Sequence, residues 1–348
     1  MAGIGSAHLR PGSNPLLRVE DLVVEFPVTR HDKVHAVSDL AFDVCEGETL
    51  GLVGESGCGK STVAKALIQM PPPTSGTIQF DGVDLARLDG SEQRRMRRQL
   101  QMIFQDPISS LNPRRRCRDI VGHGIGADVP RAERDTLVDG LLRTVGLDPD
   151  LVRDRRPHEF SGGQCQRLSI ARALAIDPKM IVCDEPVSAL DVSIQAQILN
   201  LLAELKEQRA LTMVFISHDL SVVRRICDRV MVMYLGRLCE IGPADSLYAS
   251  PAHPYTKLLL GSVARVEARR ARLSTGAPTE MPSPIDPPSG CRFRTRCPLA
   301  DDRCAAEVPV AREVQPGHFV ACHHPLVDPT THEPTTTPVE VVAPEVAG

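Results

Sequence analysis

No stretch of this chain approaches the roughly 18 consecutive apolar residues that cross a bilayer, so nothing in it is expected to span a membrane. Residues 1–11 lack a charged start followed by an apolar block, which excludes a secretory signal and leads to the expectation of a protein that stays in the cytoplasm. Charge of one sign is also missing. The 40 Lys+Arg and 44 Asp+Glu leave a net charge of −4, without the basic excess that releases counterions from nucleic acid, so no nucleic-acid partner is expected. The runs at Arg94–Arg98 and Arg114–Arg116 read as solvated faces, the alternative being contact with an acidic partner surface. No repeat with a period of roughly 20 to 50 residues is visible. What remains is 348 residues, 42% hydrophobic, enough for a globular core and about two domains.

Gly54-Glu-Ser-Gly-Cys-Gly-Lys60-Ser61 matches G-x-x-x-x-G-K-[ST], a loop whose backbone N–H groups surround a β-phosphate while the lysine reaches the β/γ oxygens and the hydroxyl meets Mg²⁺. Thr49–Val53 before it is short and apolar like a buried strand, and Ser61–Gln69 after it reads as a helix start. The orphan N–H groups of that helix therefore point at the anion. A later apolar run ends in Asp184-Glu185. Asp184 suits Mg²⁺, a hard cation that favours carboxylate oxygen, and Glu185 can orient or deprotonate water. Gln105, after the strand-like Met102–Phe104, can reach Mg²⁺ and the attacking water, and His218 can hold the γ-phosphate or Glu185. Consecutive residues do not face one another in a strand, so Ser217-His218-Asp219 is not read as a hydrolase triad.

Residues 16–105 are β-rich, with alternating runs at Leu17–Val28 and Thr77–Phe80, whereas 106–178 carry helical periodicity over Arg131–Val145 and Gln164–Ala175. Strands are expected again at Met180–Cys183, Thr212–Ile216 and Val230–Tyr234, with a long helix over Ser193–Arg209 between the first two. This alternation predicts an α/β fold with a parallel sheet and covering helices. Beyond about residue 265 the pattern dissolves into proline-rich sequence. Residues 330–348 are rich in Thr, Pro, Val and Glu, and are expected to be disordered.

Phe160-Ser161-Gly162-Gly163-Gln164 opens a helix far from the glycine loop and has no place within a single nucleotide site. With it, the order of motifs resembles the ATP-binding subunits of ABC transporters. The resemblance implies a P-loop NTPase cassette with an antiparallel β subdomain and a helical subdomain. It implies ATP contacts at Gly54, Glu55, Ser56, Gly57, Cys58, Gly59, Lys60, Ser61 and Thr62, an adenine stack on Phe26, and Mg²⁺ at Ser61, Gln105 and Asp184. Glu185, His218 and Gln105 would be catalytic. Ser161, Gly162, Gly163, Gln164 and Asp191 of one subunit would complete the ATP site of the other. Ser109-Ser-Leu-Asn-Pro113, Asp184–Ser193, Phe215–Val223 and His253-Pro-Tyr-Thr256 narrow the likeness to oligopeptide and dipeptide importers, and to the second of their two ATPase subunits, over about residues 16–325. The expected divisions are a flexible 1–15, the ATPase domain 16–265 with its helical part at 106–178, a Cys-rich extension 266–326 and a disordered 327–348. Implied partners are a homologous ATPase subunit, two membrane permeases and an extracytoplasmic substrate-binding protein, at the cytoplasmic face of the membrane. Cys165 departs from the arginine usual in the family, which puts the contacts of that helix in question. Import of nickel or another small solute is the nearest alternative. A soluble ABC-type ATPase of translation or DNA repair commonly has two fused cassettes or a long coiled coil, and this chain has neither.

Of eleven cysteines, seven are scattered from Cys45 to Cys239, and Cys291, Cys297, Cys304 and Cys322 cluster as C-x5-C-x6-C-x17-C. Four thiolates suit an iron–sulfur cluster or a structural Zn²⁺, with His318, His323 or His324 able to replace one of them. The family likeness favours a [4Fe–4S] cluster. Arg292, Arg294, Arg296 and Arg303 interleave with the cysteines and are expected to offset its charge. An electron-transfer protein built around this cluster is a third reading.

Overall fold

The computed structural model describes residues 6–10, 12, 14–126, 129–268, 281–328 and 331, without the side chains of 262–268. The expected disordered tail lies, from residue 332 onward, outside the described residues. Twelve strands form two sheets: β1 (Leu17–Pro27), β2 (Lys33–Val44), β3 (Thr49–Val53), β4 (Ser75–Phe80), β5 (Val83–Asp84), β6 (Leu100–Ile103), β7 (Met180–Asp184), β8 (Thr212–Ser217), β9 (Arg229–Tyr234), β10 (Arg237–Pro243), β11 (Arg312–Gln315) and β12 (His318–Val320). The smaller sheet, in the order β2-β1-β4-β5, is antiparallel. The larger follows β11-β12-β10-β9-β3-β8-β7-β6, with β9, β3, β8, β7 and β6 mutually parallel.

Every residue of β3, β7 and β8 is buried, which is why these strands read as continuous apolar runs rather than alternating ones. Successive side chains nevertheless enter different cores. Met180, Val182, Val214 and Ile216 pack with the antiparallel sheet and the helix Lys60–Leu67, while Ile181, Cys183, Met213 and Phe215 pack with the helices on the other face. Burying each such Leu, Ile or Phe contributes roughly 1.5–3 kcal/mol. The expected helical segment is present as Pro107–Ser110, Cys117–Val121, Arg131–Thr144, Pro149–Val152 and Gly162–Leu174, which contribute Ile120, Val138, Leu142 and Leu168 to the second core.

The described parts of both terminal regions pack against the fold. Within the terminus expected to be flexible, His8 is buried and its Nε2 meets Ala41 O at 2.7 Å, while Arg10 pairs with Asp43 at 3.0 Å and Glu48 at 2.6 Å. The cysteine-rich stretch is not a separate layer either. Its hairpin β11–β12 joins the main sheet through Glu240↔Val320 and Ile241↔Phe319, and its Val314, Val320 and Cys322 enclose Ala252 in a small third core. Among the described residues, no helix is long and apolar enough to cross a membrane.

Candidate nucleotide site

The parallel strands end together, and the loops that leave them build the site. After β3, the chain turns through Gly54 to Gly59 into the helix Lys60–Leu67, which lacks a side-chain cap. Gly59 occupies its N-cap position at φ 106°, and a Cβ there would lie 2.2 Å from Ala36 O, so only glycine fits. The uncapped N–H groups are left for an anion. Lys60 is buried and its Nζ donates to Gly54 O (2.8 Å) and Glu55 O (3.0 Å), which stretches the lysine back over its own loop.

Ser61 Oγ donates to Asp184 Oδ1 at 2.9 Å, joining the loop to the end of β7. Burial raises the Asp184 carboxyl above its ordinary range, Ser61 pulls it down, and the neighbouring Glu185 pushes it up again. Glu185 sits at φ 46°, a conformation unfavourable for a side-chain-bearing residue, held by its N–H to Ile216 O at 3.1 Å. Gln105 Nε2 donates to Glu185 Oε2 at 3.1 Å, and His218 Nδ1 lies 3.3 Å from the same oxygen.

A cavity of about 470 Å³ is lined by Phe26, Gly57, Lys60, Ser61, Gln105, Glu185 and His218, among others. Phe26, the residue expected to stack on adenine, is 37% exposed and is among the lining residues. Gly54, Glu55, Cys58 and Asp184 are not among the lining residues: Cys58 packs in the antiparallel-sheet core, and Glu55 pairs with Arg296 of the C-terminal extension. His35, Ala36, Gly236 and Pro284 also line the cavity, and no local pattern marks them, because they arrive by strand pairing and by the contact His35 N–H to Pro284 O (2.9 Å).

The structure leaves the second group of expected residues outside this cavity. Ser161 is exposed and caps the helix Gly162–Leu174, its Oγ accepting from Gln164 N–H (3.4 Å) while Gln164 Oε1 accepts from Ser161 N–H (3.0 Å). Asp191 is likewise exposed, at the start of Val192–Arg209. Cys165 is fully buried with its Sγ against Pro157 O at 3.3 Å, so the residue that departs from the family pattern packs inside the helical subdomain.

In the extension, Cys322 interacts electrostatically with Cys291, Cys297 and Cys304, and no cysteine is in a disulfide. Burial lifts all four thiols, Cys297 to about 11 and Cys322 to about 12. Backbone N–H groups of Phe293, Leu299, Asp301 and His324 act in turn on Cys291, Cys297, Cys304 and Cys322, each favouring the thiolate. The four thiols are thus coupled electrostatically, but the described residues do not gather them into one group of ligand atoms within 4.8 Å of one another. Among the described residues, the group whose donor atoms do lie within 4.8 Å of one another is Asp301, Cys304 and His324, which includes only one of the four cysteines. His318 is buried with its Nε2 against Glu240 at 2.7 Å and is not in the group of converging ligand atoms. The interleaved arginines divide. Arg294 and Arg303 do favour the thiolates of Cys291 and Cys304, but Arg292 donates to Ser38 Oγ (2.9 Å) and Arg296 to Glu55, so their charge is spent elsewhere.

A glycine loop on a helix start after β3, a histidine after the adjacent strand β8 and an acid pair at the end of the next strand, β7, define an ATP-binding cassette. Comparison with known proteins agrees: residues 37–188 match the ABC transporter family, and 239–304 match the oligopeptide/dipeptide transporter C-terminal region. A probable peptide ABC transporter ATP-binding protein of Sinorhizobium fredii is 50% identical over 89% of this chain and 90% of its own. The oligopeptide transport ATP-binding protein AppF of Bacillus subtilis is 48% identical over 88% and 97%. A dimeric ATP-binding cassette in a post-hydrolysis state, bound to ADP and Pi, superposes with a TM-score of 0.60 at 27% identity, covering 66% of this chain and 98% of that one. The chain belongs to the ATP-binding proteins of the oligopeptide/dipeptide ABC transporter family.

Proposed function

We propose that this protein hydrolyses ATP to energise import of peptides, working at the cytoplasmic face of the membrane with two permease subunits, a second ATPase subunit and an extracytoplasmic substrate-binding protein. The peptide relatives and the C-terminal family match support the cargo class. The observation that carries the chemistry is the Glu185 carboxylate, held between Gln105 and His218 on the cavity that also receives Lys60 and Ser61.

Lys60 and the amides of Gly57 to Ser61 hold the phosphates, and the Phe26 ring packs on the base. Ser61, Asp184 and Gln105 would hold Mg²⁺, which neutralises phosphate charge when bound with the nucleotide. Glu185 takes the proton from the attacking water, with His218 and Gln105 fixing the carboxylate in line. Ser161 to Gln164 and Asp191 close over the nucleotide of the other ATPase subunit, the exposure of Ser161, Gln164 and Asp191 in the single chain being consistent with that use. We further assign a [4Fe–4S] cluster to Cys291, Cys297, Cys304 and Cys322. The electrostatic coupling of the four thiols and their amide donors supports it, and iron and sulfide content of anaerobically purified protein is its check.

Glu185→Gln keeps the shape of the side chain and removes the base. It is expected to lower ATP hydrolysis on the order of a hundredfold or more, while binding of Mg·ATP persists. Turnover at the unaltered rate would remove Glu185 from the mechanism.

A further inference from the structure

Glu55 is the second residue of the phosphate loop, and three of its groups are engaged at once. Its carbonyl accepts from Lys60 Nζ at 3.0 Å, its N–H donates to the Tyr255 hydroxyl at 2.9 Å, and its carboxylate receives both ends of the Arg296 guanidinium at 2.7 and 3.0 Å. Arg296 lies between Cys291 and Cys297 in the extension, 241 residues away in sequence.

The surroundings make this contact rigid. The Arg296 side chain is only 10% exposed, and its guanidinium carbon sits 5.7 Å from the centre of the Tyr234 ring and 6.0 Å from that of Phe293. Tyr234, Tyr255 and Phe293 pack edge to face or tilted, with centroids 4.8 to 5.2 Å apart. Burial pushes the Tyr255 phenol up, so its hydroxyl stays neutral, and Glu55 keeps Arg296 charged. A two-point guanidinium–carboxylate pair fixes orientation as well as distance, which a surface ion pair does not.

We propose that Arg296 is a positioning residue for the nucleotide site: through Glu55 it fixes the loop segment that aims Lys60, so the cysteine-bearing extension sets the affinity for ATP. Arg296 does not line the cavity, and its effect passes through Glu55. The extension supports the same wall elsewhere, since Arg292 donates to Leu235 O and Pro284 O accepts from His35 N–H. The inference rests on the ATP-binding role proposed above. It does not require the cluster to be present.

The test uses the full-length chain. Equilibrium binding of Mg·ATP, and kcat and KM for hydrolysis in the assembled transporter, are compared for the unaltered protein, Arg296→Ala, Arg296→Lys, Glu55→Gln and the exchange Glu55→Arg with Arg296→Glu. Thermal unfolding and iron content serve as controls. Arg296→Ala is expected to weaken ATP binding and raise KM about tenfold, with kcat at saturating ATP within about twofold of the unaltered protein. Lysine is expected to restore part of the affinity, and the exchange more of it than either of its single changes. If Arg296→Ala does not fold, Glu55→Gln carries the same expectation from the loop side. Unaltered affinity in both Arg296→Ala and Glu55→Gln overturns the positioning role alone. A complete lack of ATP binding by the unaltered chain overturns the proposed function instead.

Discussion

Two glycine-bearing helix starts in this chain look alike in sequence and differ in how the fold treats them. The first, Gly59-Lys60-Ser61, lies among buried partners: Lys60 on loop carbonyls, Ser61 on Asp184, Gly59 against Ala36. The second, Ser161-Gly162-Gly163-Gln164, is capped only by itself and faces outward. The first is complete within one polypeptide, and the second is finished chemistry without a ligand of its own. Glycine therefore does different work at each: at Gly59 it solves a backbone problem, whereas at Gly162 an added Cβ would meet nothing nearer than Leu190 Cδ2 at 3.5 Å, and at Gly163 it would meet the Ile194 side chain at 2.6 Å.

The sharpest way to separate the two is to place bulk and charge at the second. Ser161→Arg is expected to cut hydrolysis by the assembled ATPase pair about a hundredfold, while Mg·ATP binding by the isolated chain stays as it was. Equal loss of binding in the isolated chain would place Ser161 in its own nucleotide site and erase the contrast.

A gentler change probes the backbone. Alanine at position 59 meets Ala36 O at 2.2 Å in a left-handed conformation, so Gly59→Ala is expected to lose about 3 kcal/mol of stability in denaturant unfolding. At Gly162 the nearest atom to an added Cβ is Leu190 Cδ2 at 3.5 Å, and Gly162→Ala is expected to stay within about 0.5 kcal/mol of the parent. Comparable losses at both would mean that the second start is as constrained as the first.

Acidity gives the smallest effect. The Asp184 carboxyl is raised by burial, so it gains its proton at a higher pH than an ordinary aspartate near 3.9. Protonation removes the oxygen charge that suits Mg²⁺. Mg·ATP affinity of the isolated chain is therefore expected to fall, as pH is lowered, earlier than a free carboxylate would dictate, and Asp184→Asn is expected to flatten that dependence. An affinity that holds until the ordinary aspartate range would show that burial does not govern this group.

The first helix start was legible because its motif is contiguous and the strand before it is apolar throughout. The acid pair and His218 were legible for a related reason: each ends a buried strand, and parallel strands end on one side of the sheet. Helices at Arg131–Thr144, Gly162–Leu174 and Val192–Arg209 followed from their 3.6-residue period. What stayed hidden depends on contacts between distant residues. Pairing of β12 with β10 joins a proline-rich stretch to a core strand, and the Arg296–Glu55 contact spans most of the chain. The four arginines of the extension looked equivalent by spacing, and only packing separates Arg294 and Arg303, whose charge acts on Cys291 and Cys304, from Arg292 and Arg296, which brace the nucleotide wall.

The joint between β10 and β12 also limits how this region can be lost. Glu240 is fully buried in β10 and accepts from Ala252 N–H (2.8 Å), His253 N–H (2.8 Å) and, across the joint, His318 Nε2 (2.7 Å). A shortened descendant ending before the hairpin would keep that carboxylate without its imidazole, and would bare a strand edge open to a neighbouring molecule. Shedding the tail in evolution thus calls for a compensating replacement at position 240, which makes the residue found there a marker of whether a related chain retains the hairpin.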